Sequence, residues 1–123
     1  MTAQNVVDMT LARWKDRIMK KTTFKIRDRY NGDEILQEVI AEEYDENVYY
    51  VSSRTNKDFK YKYSFYDKKT GLMLCTGKNK KELINKYNEV KERYTQVRES
   101  IHYKKYIERY EQLKKEVNVW VIS

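Results

Sequence analysis

Leu83, Tyr87, Val90, Tyr94, Val97 and Ile101 step by four, three, four, three and four residues. That spacing holds six large side chains on one stripe of an α-helix. The stripe loses phase after Ile101, where Lys104 and Glu108 occupy the positions the pattern reserves for apolar residues. A new stripe then runs through Tyr103, Tyr106, Tyr110, Leu113 and Val117. One unbroken helix from Lys80 to Glu116 is roughly 55 Å long at 1.5 Å per residue, wider than a domain of this length. The break at "RESIHY" therefore predicts a kink or a capped restart at Ser100, bending the helix around a sheet, or an end that projects towards a partner.

Ahead of this half the pattern is that of strands. In "TTFKIRDRYNGDEILQEVIA", Ile35, Leu36, Val39 and Ile40 also fit a helical stripe starting at Asp33. Asn31-Gly32, however, is the strongest short-range hairpin signal, because a type I′ turn needs two residues at positive φ. A two-residue turn there pairs Tyr30 with Asp33, Arg29 with Glu34, Lys25 with Glu38 and Phe24 with Val39, and sets Ile26 across from Gln37. The two opposite-charge pairs fall on one face, each contributing roughly 0.2–1 kcal/mol. A helix explains neither the Asn-Gly nor this charge register.

"EEYDEN" reads as a polar loop, "VYYVSS" as a short strand and "TNKD" as a turn. Next, Phe59, Tyr61, Tyr63 and Phe65 are predicted on one face of a strand, with Lys60, Lys62, Ser64 and Tyr66 on the other. "DKKTG" suits a hairpin loop with Gly71 in the left-handed position, and "LMLCT" returns as the partner strand. At the start of the chain Asp8 or Thr10 can cap a helix carrying Leu11, Trp14 and Ile18 and ending near Lys20 and Lys21. At its end Val117, Val119 and Val121 alternate with Asn118, Trp120 and Ile122, as in a last strand or a docked apolar tail. The expected fold is a single α+β domain over residues 1–123. It has an N-terminal helix, a five- or six-stranded antiparallel sheet built from hairpins, and a long C-terminal helix or kinked helix pair.

Chemistry-bearing residues are few. Cys75 is the only cysteine and His102 the only histidine, so a Cys–His nucleophile pair is formally open. A strand cysteine is more often a small core residue, and His102 at the helix break is expected on the surface. No phosphate-cradling glycine motif and no metal-ligand spacing is present. The expectation is a binding protein without cofactor or metal, not an enzyme. No apolar run approaches a membrane span and no signal core is seen, so the expected location is cytoplasmic.

Charge is more informative. The chain carries +7, unevenly spread. Residues 31–47 hold seven acids and no base, whereas residues 48–81 hold nine bases and two acids. Those nine are Arg54, Lys57, Lys60, Lys62, Lys68, Lys69, Lys78, Lys80 and Lys81. A basic block of this density favours a polyanion partner, although exposed lysines also guard strands against pairing with other chains. Lys78, Lys80 and Lys81 stand where a helix N-terminus favours anions. Tyr66 shares the expected face of Lys60 and Lys62 and is placed to stack on a base. Of the twelve tyrosines, it and Tyr49 look free of the apolar seams.

"YSFYDKKTGLMLCTGKNKKELINKY", residues 63–87, resembles the arm-type DNA-binding domains of tyrosine recombinases. Their pattern is strand, Asp-x-x-Thr-Gly turn, strand and a Lys-Lys-Glu helix start. The resemblance implies a sheet inserted into the DNA major groove, with Lys60, Lys62, Lys68 and Lys69 on the DNA. It covers the hairpin and helix start alone; a recombinase catalytic domain has no counterpart here. The overall character is similar to small accessory proteins of phages and mobile elements, anti-CRISPR inhibitors among them. That likeness implies direct binding to a CRISPR nuclease, with the acidic block Asp33 to Glu46 docking on a basic groove. A third expectation is a homodimer through the helical seam.

Overall fold

The Asn31-Gly32 turn forms as its sequence requires, with φ of 52° and 85°. It joins β1 (Lys21–Tyr30) to β2 (Asp33–Glu43) in the predicted register, Phe24 opposite Val39 and Arg29 opposite Glu34. In this computed structural model the described residues are 21–116 and 119–121; the expected N-terminal helix lies outside them. The other elements are β3 (Val48–Ser52), β4 (Tyr63–Asp67), β5 (Met73–Gly77), α1 (Lys80–Arg98), α2 (Ile101–Lys115) and β6 (Val119–Val121).

Strands β1 to β5 form an antiparallel sheet in chain order. The sixth strand departs from expectation: β6 pairs with β2 in parallel, Leu36 to Val119 and Glu38 to Val121. A parallel return requires a crossover, and here the two helices lie between β5 and β6 in the chain. The space beside β2 exists because β3 pairs with it only at Glu42 and Glu43. Between β3 and β6, Ile40 is met by a side chain acting as a peptide group. Asn56 Oδ1 accepts from Ile40 N–H at 2.7 Å, and Asn56 Nδ2 donates to Ile40 O at 2.9 Å. Asn56 is fully buried, a role its place in "TNKD" does not announce.

The sheet curls until its first strand reaches the β4–β5 turn, where Arg27 N–H donates to Gly71 O at 2.9 Å. Gly71 is obligatory there. Its φ is +68°, and a Cβ would stand 2.6 Å from the Tyr110 ring and 3.0 Å from Lys25 O.

Curling buries both faces of the middle strands. One core gathers Phe24, Ile26, Leu36, Val39, Tyr66 and Tyr110. The other gathers Tyr50, Tyr63, Phe65, Leu83, Ile84 and Tyr87. All five residues of β4 are buried, which corrects the expected division of residues 59–66 into a core face and a lysine face. Lys60 and Lys62 precede β4, Phe59 and Tyr61 join the first core, and Tyr63 and Phe65 join the second.

The helical break falls at Ser100, the N-cap of α2. Its hydroxyl gives α2 no cap bond and instead donates to Val97 O at 2.7 Å, closing the end of α1. Of the first stripe, Leu83, Tyr87 and Tyr94 are buried while Ile101 is 70% exposed; of the second, Tyr103, Tyr110 and Leu113 are buried while Tyr106 is 41% exposed. No described helix is long and apolar enough to cross a membrane.

Candidate nucleic-acid interface

The Asp-x-x-Thr-Gly turn closes one end of the β4–β5 hairpin. Asp67 Oδ2 accepts from Thr70 N–H at 3.0 Å and Thr70 Oγ1–H at 2.6 Å, an Asx-type closure of the turn. The same carboxylate also ties down both helices. The Tyr94 hydroxyl of α1 donates to Oδ1, and the Tyr103 hydroxyl of α2 lies 3.0 Å from both oxygens. Asp67 is 2% exposed, and no salt bridge reaches it among the described residues. The nearby cation is Arg98, stacked 4.8 Å from the Tyr94 ring. Burial first, then the hydrogen bond and charge of Asp67, push the Tyr94 hydroxyl far above its ordinary pKa. Burial and then the Asp67 charge do the same to Tyr103.

The lysines gather at the other end of this hairpin, where Tyr63 pairs with Gly77. Lys60 and Lys62 from the β3–β4 connection, Lys78 after β5 and Lys86 of α1 line one groove of about 500 Å³, with Tyr61, Thr76 and Gly77. Glu82 also lines it, its carboxylate 3.0 Å from Lys86 Nζ. The hydrogen bond from Lys86 holds the Glu82 carboxyl below its ordinary pKa, against some desolvation. At the adjoining helix start, Asn79 Oδ1 accepts from Glu82 N–H at 2.8 Å, so the N-cap consumes one of the free amides. Lys86 was absent from the predicted set. The Glu82–Lys86 i,i+4 pair was its signal, since that spacing puts Lys86 on the face of Glu82.

The remaining candidates divide. Arg54, Lys57, Lys69 and Lys81 are exposed but line no part of this groove. Lys80 Nζ sits 5.7 Å from the Tyr50 ring centroid. Lys68 is engaged internally: its ammonium pairs with Glu43 and lies 4.7 Å from the Tyr49 ring centroid. Tyr66 is 3% exposed, within the first core, so a stacking role does not fit it. Tyr49 is half-buried against Phe24, their ring centroids 4.6 Å apart. Tyr66 is covered because the curled sheet leaves β4 without an outer face, and Tyr49, on β3, because Phe24 of β1 packs on it.

The acidic block is likewise partly spent inside the fold. Glu34 is held by Arg27 at 3.0 Å and Arg109 at 2.7 Å, where Arg29 was the expected partner. Burial alone would raise the Glu34 carboxyl; hydrogen bonds from Arg109 and Arg27 outweigh it and hold the pKa below the ordinary value. Cys75 is pushed up to about 11 by burial, so its thiol stays protonated at neutral pH. His102 is exposed. Among the described residues no three His, Cys, Asp or Glu side chains gather as metal ligands would. A second concavity of about 280 Å³ is mainly apolar, lined by Leu72, Met73, Val90, Val97 and Tyr106 with Arg93.

No protein-family model matches the chain, and no similar protein was found among curated proteins or solved structures.

Proposed function

We propose that this chain is a small non-enzymatic binding protein that engages nucleic acid, or a nucleoprotein complex, through the lysine groove. One observation carries the reading: four ammonium groups from three separate elements converge on one concavity that holds a single carboxylate. Like charges gathered in a concave site raise the local concentration of a polyanion and are relieved by binding it. Phosphate contact of this kind releases counterions, so affinity falls with salt. Phage or mobile-element origin belongs to the same proposal, on the compositional likeness alone.

Gel-shift titrations at about 50 and about 200 mM salt test it. A retarded complex at the lower salt that weakens sharply at the higher is expected. Absence of any complex with DNA or RNA at the lower salt refutes the reading. A helix-mediated dimer is favoured by a different observation, the exposure of Met73 (45%) and Tyr106 (41%) at the apolar cleft and of Ile101 on the same helix pair. Sedimentation showing a concentration-dependent doubling of mass, abolished by Tyr106→Glu, is what that reading requires.

A further inference from the structure

The lysine groove does not end at its own wall. Lys60 and Tyr61 also line a second depression of about 420 Å³, so the two concavities adjoin across these residues. Their chemistry differs. The second is lined by apolar Phe59, Leu72 and Met73 together with Asp28, Gln37, Asp58 and Arg27, whose guanidinium is already paired with Glu34. Two carboxylates against one guanidinium that Glu34 already neutralises repel phosphate, so a polyanion backbone is favoured on the lysine side. Amide and carboxylate oxygens beside apolar surface suit base edges and base faces instead. The ridge between is a half-buried aromatic ring. Tyr61 is braced edge-on by Phe59, centroids 5.9 Å apart, and carries Lys60 Nζ at 5.7 Å.

We infer that the ligand is a single-stranded nucleic acid. Its phosphates run along Lys60, Lys62, Lys78 and Lys86, a base stacks on Tyr61, and the neighbouring base enters the second depression. The inference rests on the nucleic-acid reading above and adds the strandedness of the ligand. A basic groove beside an aromatic platform is the arrangement by which single strands are held, because every base offers a π-face. In a duplex the bases already stack on one another and present only edges in the grooves, which leaves Tyr61 without a partner. The route expected for duplex, a sheet entering the major groove, lacks an open face in β4. When a base takes its place over Tyr61, the Lys60 ammonium has a phosphate to move to.

Fluorescence anisotropy on the full chain decides this, with about 15-nucleotide probes of mixed sequence: single-stranded DNA, single-stranded RNA and duplex DNA. At about 50 mM salt one or both single strands are expected to bind roughly tenfold or more tighter than duplex. The tighter arm identifies the sugar. Tyr61→Leu, which keeps apolar bulk but removes the π-face, is expected to weaken single-strand binding roughly five- to hundredfold, while Tyr61→Phe retains it. Circular dichroism on both variants confirms that they are folded. Duplex binding as tight as single strands, or a folded Tyr61→Leu with unchanged affinity, overturns the inference and leaves the nucleic-acid reading standing. No binding by any of the three probes overturns both.

Discussion

Asp67 and the lysine groove come from one short run of sequence and show opposite treatments of charge. Asp67 is one negative charge, buried and answered by the Thr70 amide and hydroxyl and the hydroxyls of Tyr94 and Tyr103. Lys60, Lys62, Lys78 and Lys86 are four positive charges on a groove with Glu82 as its carboxylate. A buried charge persists only when its lone pairs are filled. A charge cluster at the surface tolerates incomplete pairing because water screens it, and so it stays available to a ligand. The Asp-x-x-Thr-Gly turn that resembles a DNA-contacting hairpin thus works as the anchor of both helices.

The sharpest way to break the contrast is Asp67→Ala. It strips the turn closure, leaves the buried Tyr103 hydroxyl without its acceptor and leaves the Tyr94 hydroxyl with only the Asn47 carbonyl, at 3.3 Å. An unsatisfied buried donor and lost charge-assisted bonds together cost about 3–5 kcal/mol. Chemical denaturation is expected to show that loss, with the protein that remains folded binding nucleic acid as before. The alkaline limb sharpens the point. Both tyrosines have folded pKa values raised above the unfolded value near 10. Their neutral form is favoured in the fold, so this stability is fully present below pH 10 and is lost as pH rises beyond it. In Tyr94→Phe the alkaline loss is expected to be shallower and the neutral-pH stability lower by about 1.5–3 kcal/mol, measured by denaturation from pH 7 to 11.

The groove should answer in reverse. Changing Lys60, Lys62, Lys78 and Lys86 together to Gln is expected to leave unfolding free energy within about 0.5 kcal/mol of the parent. Affinity is expected to collapse, and the slope of log affinity against log salt to shrink by roughly three, about 0.7 per lost contact for a single strand. Parallel denaturation and salt-titrated anisotropy read both quantities. Lost stability with an unchanged salt slope would mean that the groove is structural.

The same contrast explains what the sequence disclosed. Local signals were legible: Asn31-Gly32 fixed a hairpin register because only a two-residue turn suits that pair, and the phase slip after Ile101 marked the Ser100 restart. Signals that depend on curvature were not. Alternation gave the facing of residues 59–66 as core and surface, but Arg27 bonded to Gly71 closes the sheet and covers both sides. Tyr66 was lost as a stacking candidate for that reason, and Tyr61, its neighbour on the supposed core face, became one. Asn56 bridging the β2 edge and β6 pairing in parallel are set by long-range geometry that no local pattern encodes. Part of the groove was legible as lysine density. Which lysines converge was not, because Lys68 folds back on Glu43 while Lys86 reaches in from the second turn of α1.

Acid provides a smaller test of which carboxylates belong to the fold. Glu34 is gripped by Arg27 and Arg109, its side chain 25% exposed, and its folded pKa lies below the ordinary 4.5. Its contribution is complete above the unfolded value and fades as pH falls through the lower folded one, on the acid side of about pH 4.5. Glu34→Gln is expected to cost about 1 kcal/mol at neutral pH and less as pH drops through that window. Urea midpoints at pH 7 and pH 3 measure it.

The smallest expected effect has the opposite sign, and it bears most directly on the groove. Glu82 stands among the lysines as the anion they already have, and its pairing with Lys86 must be loosened before Lys86 can turn to a phosphate. The pair is a solvent-screened i,i+4 contact at the surface, so little stability is lost with it. Glu82→Gln keeps the side-chain shape and the backbone N–H that Asn79 caps, and it frees one ammonium while removing one repulsive charge. Affinity for a single strand is expected to rise about two- to fivefold at low salt, with the gain shrinking as salt screens it. Anisotropy at two salt concentrations reads the gain and its decay together. A fall in affinity would mean that Glu82 holds Lys86 in its binding position, which would make the carboxylate part of the interface and not its competitor.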